Sequence, residues 1–220
     1  MASTVRVLWS KTETEWPAAT LARVRDQLPN HIVERLPDHH DWRDRQMTLL
    51  VKLLLREYLV RSGLDPTLLA ELTWSASGRP SLPIEGDFSL AHSAGIAVCA
   101  ATPTGRIGVD VDDRTRQPTE DLGRALSPAE RMAVDSAEQP GAELARVWSY
   151  KEAVAKADGR GIAVDLERIN TFANSNRLVD ATWHVQPLDL DPAVAGHVAL
   201  SEPGCTLDVA PLAESALLGG

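Results

Sequence analysis

Two acids, two residues apart, introduce the chemistry of this sequence. In RIGVDVDD, Arg106 to Asp113, Asp110 and Asp112 follow the period of a strand, on which residues i and i+2 project from one face. Ile107, Val109 and Val111 then project from the other face, towards a core. Parallel carboxylates are hard oxygen ligands of the kind Mg2+ takes alongside water and phosphate oxygens. The same spacing also describes a half-exposed strand with a polar outer face, and the motif alone does not separate the two. A second set lies in VWSYKEAVAKADGRG, where a helix would align Trp148, Glu152 and Lys156 at i, i+4 and i+8, with Lys151 beside them. Glu before Lys is an ordinary surface pair worth about 0.2–0.5 kcal/mol. A large Trp on the same stripe implies partial burial, however, and buried charges need partners such as a metal and a phosphate. Three weaker candidates follow. His92 sits near a hairpin tip in FSLAHSAG, and Arg79 lies in the rigid turn SGRP. Arg43 and Arg45 open a long helix, whose N-terminus favours phosphate. Each also reads as a structural turn residue or a solvated surface charge.

The elements that must position these groups are legible from periodicity. Residues 5–11, VRVLWSK, read as a strand, and residues 17–28 as a first helix with Leu21, Val24 and Leu28 on one side. Residues 41–63 form the strongest helical pattern, with Met47, Leu50, Leu54 and Tyr58 on a stripe and Gly63 as its stop. Residues 87–103 read as two strands joined at Ser93–Gly95. The pattern then begins again, with a strand at 106–113. A helix follows from Ser127 with Glu130 completing a capping box, then a second long helix closed by Gly159. From residue 164 to 202 the chain alternates like antiparallel strands. Each half thus offers a long helix and a hairpin, and the closing strands IAVCAAT and HVALSEP are alike, which points to an internal repeat. The expected fold is α+β, in two pseudo-symmetric halves, each a long helix on a small antiparallel sheet. The halves span residues 1–104 and 105–210, with a ligand cleft between them and a flexible tail at 211–220.

Composition narrows the function. The chain has 220 residues and a formal net charge of −9, which disfavours nonspecific binding to nucleic acid or an anionic membrane. An anionic ligand would require the few Arg and Lys to gather locally. No run approaches the length of a membrane span, and the N-terminus lacks the pattern of a signal peptide, so a cytoplasmic location is expected. Cys99 and Cys205, both in apolar surroundings, read as reduced core thiols.

Taken in order, DWRDRQMTLL, SGRPSLP, FSLAHSAG, IGVDVDD and VWSYKEAVAKADGRG resemble the motif series of the 4′-phosphopantetheinyl transferases of the surfactin-synthetase-activating type. That series runs D-R at a helix start, G-[KR]-P, F-N-x-S-H-S, G-[IV]-D-[IV]-E and W-[ST]-x-K-E-[AS]-x-x-K-x-x-G. The match extends from Arg43 to Gly161. The resemblance implies transfer of the phosphopantetheine arm of coenzyme A to a serine of an acyl, peptidyl or aryl carrier protein, releasing adenosine 3′,5′-bisphosphate. It implies that Asp110, Asp112 and Glu152 hold Mg2+ and that Glu152 is the base for the serine hydroxyl. Lys156 would meet the pyrophosphate with Lys151 in support, His92 the β-phosphate, and Arg79 and Arg45 the 3′-phosphate and adenine. A monomer is expected, since both cleft walls come from one chain. Carrier contacts are sought in residues 113–132, through Arg114, Arg116, Arg124 and Leu126; a solvated linker is the other reading of that segment. Four departures from the series stand out. Asp112 replaces a longer Glu, which implies water between it and the metal, with Asp113 as a substitute beyond the ligands themselves. Ser89 stands for Asn, Ala91 for Ser, and Met47 for a second Arg. The alternatives are a Mg2+-dependent coenzyme A or nucleotide pyrophosphohydrolase and a non-catalytic carrier-binding relative.

Overall fold

Val5 and Val7 alternate with the more exposed Arg6 along β1 (Thr4–Lys11), and this strand seeds the first sheet. In the computed structural model, which describes residues 3–36, 41–117, 119, 124–178 and 181–219, β1 pairs antiparallel with β5 (Ile96–Thr102). β5 in turn pairs with β4 (Asp87–Ser93). The β4–β5 turn has positive φ at Ala94 and Gly95, the backbone twist that a two-residue hairpin requires. Two short strands, β2 (Thr73–Trp74) and β3 (Pro80–Ser81), flank the SGRP turn. Helices α1 (Ala18–Asp26), α2 (Asn30–Val33) and α3 (Trp42–Arg61) cover one face of the sheet. Along α3 the expected stripe of Met47, Leu50, Leu54 and Tyr58 is buried, and the helix stops before a left-handed Gly63. Asp41 caps its start by accepting from Arg43 N at 2.7 Å.

The second half repeats the plan. β6 (Ile107–Asp113) pairs with β9 (Val194–Leu200), β9 with β8 (Ala181–Leu188), and β8 with β7 (Ser175–Leu178). Helix α4 (Pro128–Ser136) begins with the expected capping box of Ser127 and Glu130. Helix α5 (Pro140–Asp158) ends at a left-handed Gly159. In both halves the first strand pairs with the second strand of a later hairpin, giving the orders β1-β5-β4 and β6-β9-β8. β5 and β9 hold equivalent places and are buried along their whole length. The inner faces meet in one apolar layer containing Val7, Val98, Val109 and Val198. Burying such side chains contributes about 1.5–3 kcal/mol each.

Three expectations are corrected. β10 (Thr206–Pro211) leaves the second half and pairs parallel with β1, so the first sheet is mixed and is completed by residues from beyond 105. Residues of the expected tail form α6 (Glu214–Leu217), with Leu217 buried in the α3 core and Glu214 accepting from Trp16 Nε1 at 2.8 Å. Residues 164–174 do not form a strand. A 3-10 turn at Leu166–Arg168 stands there, and Asn176 Oδ1 accepts from Asn170 N. Asp180 and residues 118 and 120–123 of the expected carrier-contact segment lie outside the described residues.

Candidate active site

Gly108 determines how closely the site can be assembled. A Cβ at this position would overlap Ala153 O and the Ala157 backbone, so its absence lets α5 lie directly on β6. The even residues of β6 face that helix, while Ile107, Val109 and Val111 enter the apolar layer as expected. The Asp face is therefore covered by α5, and Asp110 and Asp112 are both buried.

The helix and the turn after β6 each supply one acid with a cation. Lys156 Nζ donates to Asp110 Oδ1 at 2.7 Å, and Arg116 Nη1 donates to Asp112 Oδ1 at 2.6 Å. Burial pushes the Asp110 carboxyl up to about 6 against the pull of Lys156, and the charges of Glu152 and Asp112 add to the rise. Burial pushes the Asp112 carboxyl up as well, opposed by Arg116. His197 faces Asp110 across the β6–β9 ladder but supplies no counter-charge at neutral pH, because burial pushes its imidazole down to about 4. Ser149 Oγ lies 2.8 Å from its Nδ1.

Glu152 and Lys156 open onto a cleft of about 580 Å³ between the halves, a volume suited to a small-molecule ligand. The first half contributes Ser77 to Pro80 and Phe88 to Leu90 to its walls; the second contributes α5 and the 159–166 loop. Ser77 Oγ donates to Gly159 O at 2.8 Å, which fastens the SGRP turn to the end of α5.

The remaining expected residues fall in different places. Arg79 lines the cleft, yet its guanidinium is a clamp between the halves. It donates to Lys156 O, to Asp87 Oδ2 at 2.6 Å and to Ile107 O at 2.7 Å. Lys151 is corrected outright. It is fully buried, and its ammonium is spent on Glu130 Oε2 at 2.8 Å, Leu166 O at 2.7 Å and Ile169 O at 2.8 Å. His92 is half-buried at the end of β4 and Arg45 pairs with Glu15 at 3.6 Å; neither is among the residues that line the cleft. Asp113 caps a turn, its Oδ1 accepting from Thr115 N at 2.7 Å, rather than joining the acids as an outer ligand. Leu126, expected on a carrier-contact surface, is buried.

The departures from the motif series also find places. Ser89 Oγ accepts from Val109 N at 3.0 Å, Ala91 fills the apolar layer between the sheets, and Met47 is a core residue of α3. Sequence reasoning missed Asp87, whose Oδ2 also accepts from Ile107 N at 2.9 Å. Its spacing of two from Ser89 was the available signal: together they stitch β4 to β6 where no ladder joins them.

The donor chemistry can be tested against a cation. Among the described residues, no three Asp, Glu, His or Cys side chains converge closely enough to cage a metal ion. What stands there is a pair of carboxylates with Glu152 near, and Asp112 Oδ2 is buried without a hydrogen-bond partner. This suits Mg2+, which binds through one or two carboxylates and completes its shell with water and phosphate. It does not suit zinc, which favours nitrogen and sulfur ligands. Cys99 and Cys205 are free and buried, and burial pushes the Cys99 thiol up to about 12.

Residues 106–199 match the family model of the 4′-phosphopantetheinyl transferase superfamily. The chain is 33% identical over 163 residues to the 4′-phosphopantetheinyl transferase HetI of Nostoc sp. (strain PCC 7120 / SAG 25.82 / UTEX 2576). That alignment covers 66% of this chain and 62% of the relative's length.

Proposed function

We propose that the chain is a 4′-phosphopantetheinyl transferase that moves the 4′-phosphopantetheine arm of coenzyme A onto a serine of an acyl, peptidyl or aryl carrier protein, as enzymes of the surfactin-synthetase-activating type do; the match of residues 106–199 to that superfamily and the likeness to HetI support the reading. The observation that carries the proposal is the meeting of Asp110, Glu152 and Lys156 at a cleft between the halves, beside Asp112 with its open buried oxygen.

Asp110, Asp112 and Glu152 would hold Mg2+, which when bound neutralises diphosphate charge and polarises the phosphoryl oxygens. The rest of the work falls to side chains of the chain itself. The cleft walls hold the coenzyme so that the carrier serine approaches the β-phosphorus in line, which is the positioning share of catalysis. The Glu152 carboxylate takes the hydroxyl proton as the serine oxygen bonds to phosphorus. The bond from the β-phosphorus to the bridging oxygen breaks, and adenosine 3′,5′-bisphosphate departs with the electron pair. Lys156 lies one helical turn beyond Glu152 and meets the charge that builds on the leaving group. Arg79 serves from the cleft wall as a fixed positive charge and a clamp. Roles for His92 at the β-phosphate and Arg45 at the nucleotide rest on the family resemblance alone. We take the working form to be a cytoplasmic monomer without nucleic-acid or membrane partners.

The test is incubation of apo carrier proteins from fatty-acid, polyketide and nonribosomal-peptide systems with coenzyme A and Mg2+, read by intact mass. A mass gain of one phosphopantetheine on a carrier is expected. Coenzyme A breakdown without a carrier would instead make the protein a pyrophosphohydrolase. Carrier bound but unmodified would make it a non-catalytic relative.

A further inference from the structure

We propose that Arg116 is a positioning residue, an internal counter-ion that occupies Asp112 Oδ1 until a divalent cation takes its place. The inference rests on the metal reading of Asp110, Asp112 and Glu152 given above. It starts from charge. Asp110 and Asp112 are buried with the charge of Glu152 near, and burying carboxylates without compensation is costly. In the structure two cations answer two of the acids, Lys156 on Asp110 and Arg116 on Asp112. Each of the two buried acids is thus paired before any metal or substrate arrives.

Arg116 is held for this role by its surroundings. The Asp113 side chain caps the turn after β6, accepting from Thr115 N at 2.7 Å and Thr115 Oγ1 at 2.8 Å. Arg114 Nε donates to Val194 O at 2.9 Å, and Arg114 N donates to Ala193 O at 3.0 Å. Gly141 lies so near that a Cβ there would come within 2.9 Å of Arg116 O, so the start of α5 pins the turn. From this fixed backbone the guanidinium lies over the Trp148 ring, 5.3 Å from its centroid, and reaches Asp112. Trp148 belongs to the same helical stripe as Glu152 and Lys156. The Asp112 side chain is 8% exposed and that of Arg116 35%, so the cation has a way out to solvent while the acid does not.

Asp112 Oδ2, buried and without a hydrogen-bond partner, marks where the carboxylate remains open. A cation entering there competes with Arg116 for the same carboxylate. Once displaced, Arg116 becomes a free positive charge beside the acids, where an incoming diphosphate needs it. Metal and diphosphate therefore favour each other's binding, and a free enzyme holds the metal only weakly.

The test titrates MnCl2 alone into the full-length protein, without coenzyme A or carrier, following free Mn2+ by electron paramagnetic resonance and Trp148 by fluorescence. Arg116→Gln should tighten Mn2+ binding about fivefold, the most that a half-exposed ion pair is ordinarily worth. Mn2+ should change the fluorescence of the wild-type protein, and Trp148→Phe should abolish that change while leaving the affinity measured by resonance within twofold. Arg116→Lys, which keeps the charge but loses the planar fork, should tighten binding less and in the same direction. Unchanged or weaker Mn2+ binding in both Arg116 variants, with the wild type binding normally, overturns the counter-ion role alone. Absence of Mn2+ binding by the wild type and by Arg116→Gln removes the metal reading as well.

Discussion

Asp110 carries two measurable consequences at the scale of single residues. Its carboxyl is pushed up to about 6 by burial, so the fold favours the protonated acid over the ionised one. A group raised in this way stabilises the fold fully below its unfolded value and loses that contribution as pH rises through its folded value. Chelator-treated protein should therefore lose stability from this group between roughly pH 4 and pH 6. Asp110→Asn should flatten that part of the profile in urea titrations taken across the range. For transfer the sign reverses, because the metal needs the ionised acid. Asp110→Ala and Glu152→Gln should each lower turnover at least about 100-fold with the circular dichroism unchanged; a retained rate in either variant removes the role assigned to that residue. Residue placement was legible in the sequence where a local period decides it, as with Asp110 and Asp112 opposite Ile107, Val109 and Val111 on β6. It was not legible for Lys151, whose carboxylate partner Glu130 belongs to another helix and whose remaining acceptors are carbonyls at Leu166 and Ile169. No local spacing marks a lysine as fully buried.

Elements explain why these residues meet. The capping box, the left-handed stops at Gly63 and Gly159, and the β4–β5 turn are local devices, and each was readable from a few neighbouring residues. Helix α5 reaches β6 only because Gly108 has no side chain, a fact that the sequence states as one letter in a strand and that only the packing explains. Gly108→Ala should force the helix off the sheet at the cost of overpacking, about 1–3 kcal/mol. Its melting temperature should fall, and transfer should fall further than stability alone accounts for, since Lys156 would be drawn away from Asp110. Transfer rates measured well below the melting temperature separate the two effects; a variant that melts earlier but transfers normally would show that the close contact serves packing only.

At the scale of the whole molecule, two sheets and their helices share one apolar layer and one polar seam. Arg79 and Asp87 anchor that seam, with side chains only 16% and 20% exposed. Removing one partner of a buried ion pair costs about 3–5 kcal/mol. Arg79→Ala should lower stability by about 1–3 kcal/mol, less than that because the pair is part-buried, and broaden a single calorimetric transition towards two, as the halves begin to melt apart; a transition that stays sharp would show that the apolar layer alone couples them. The repeat of helix and hairpin could be read from the chain, but the crossing of β10 to β1 could not, because nothing local joins strands so distant in sequence. That crossing orders events during synthesis. β1 finds β5 after about half the interval that separates it from β10, whose first paired residue comes 202 positions after Thr4. At ribosomal speeds of about 5–20 residues per second, one flank of β1 stays open for roughly ten seconds or more after it emerges. During that interval the nascent chain carries an exposed strand edge of the kind that recruits wrong partners, and it is closed only by a segment translated after the entire second repeat.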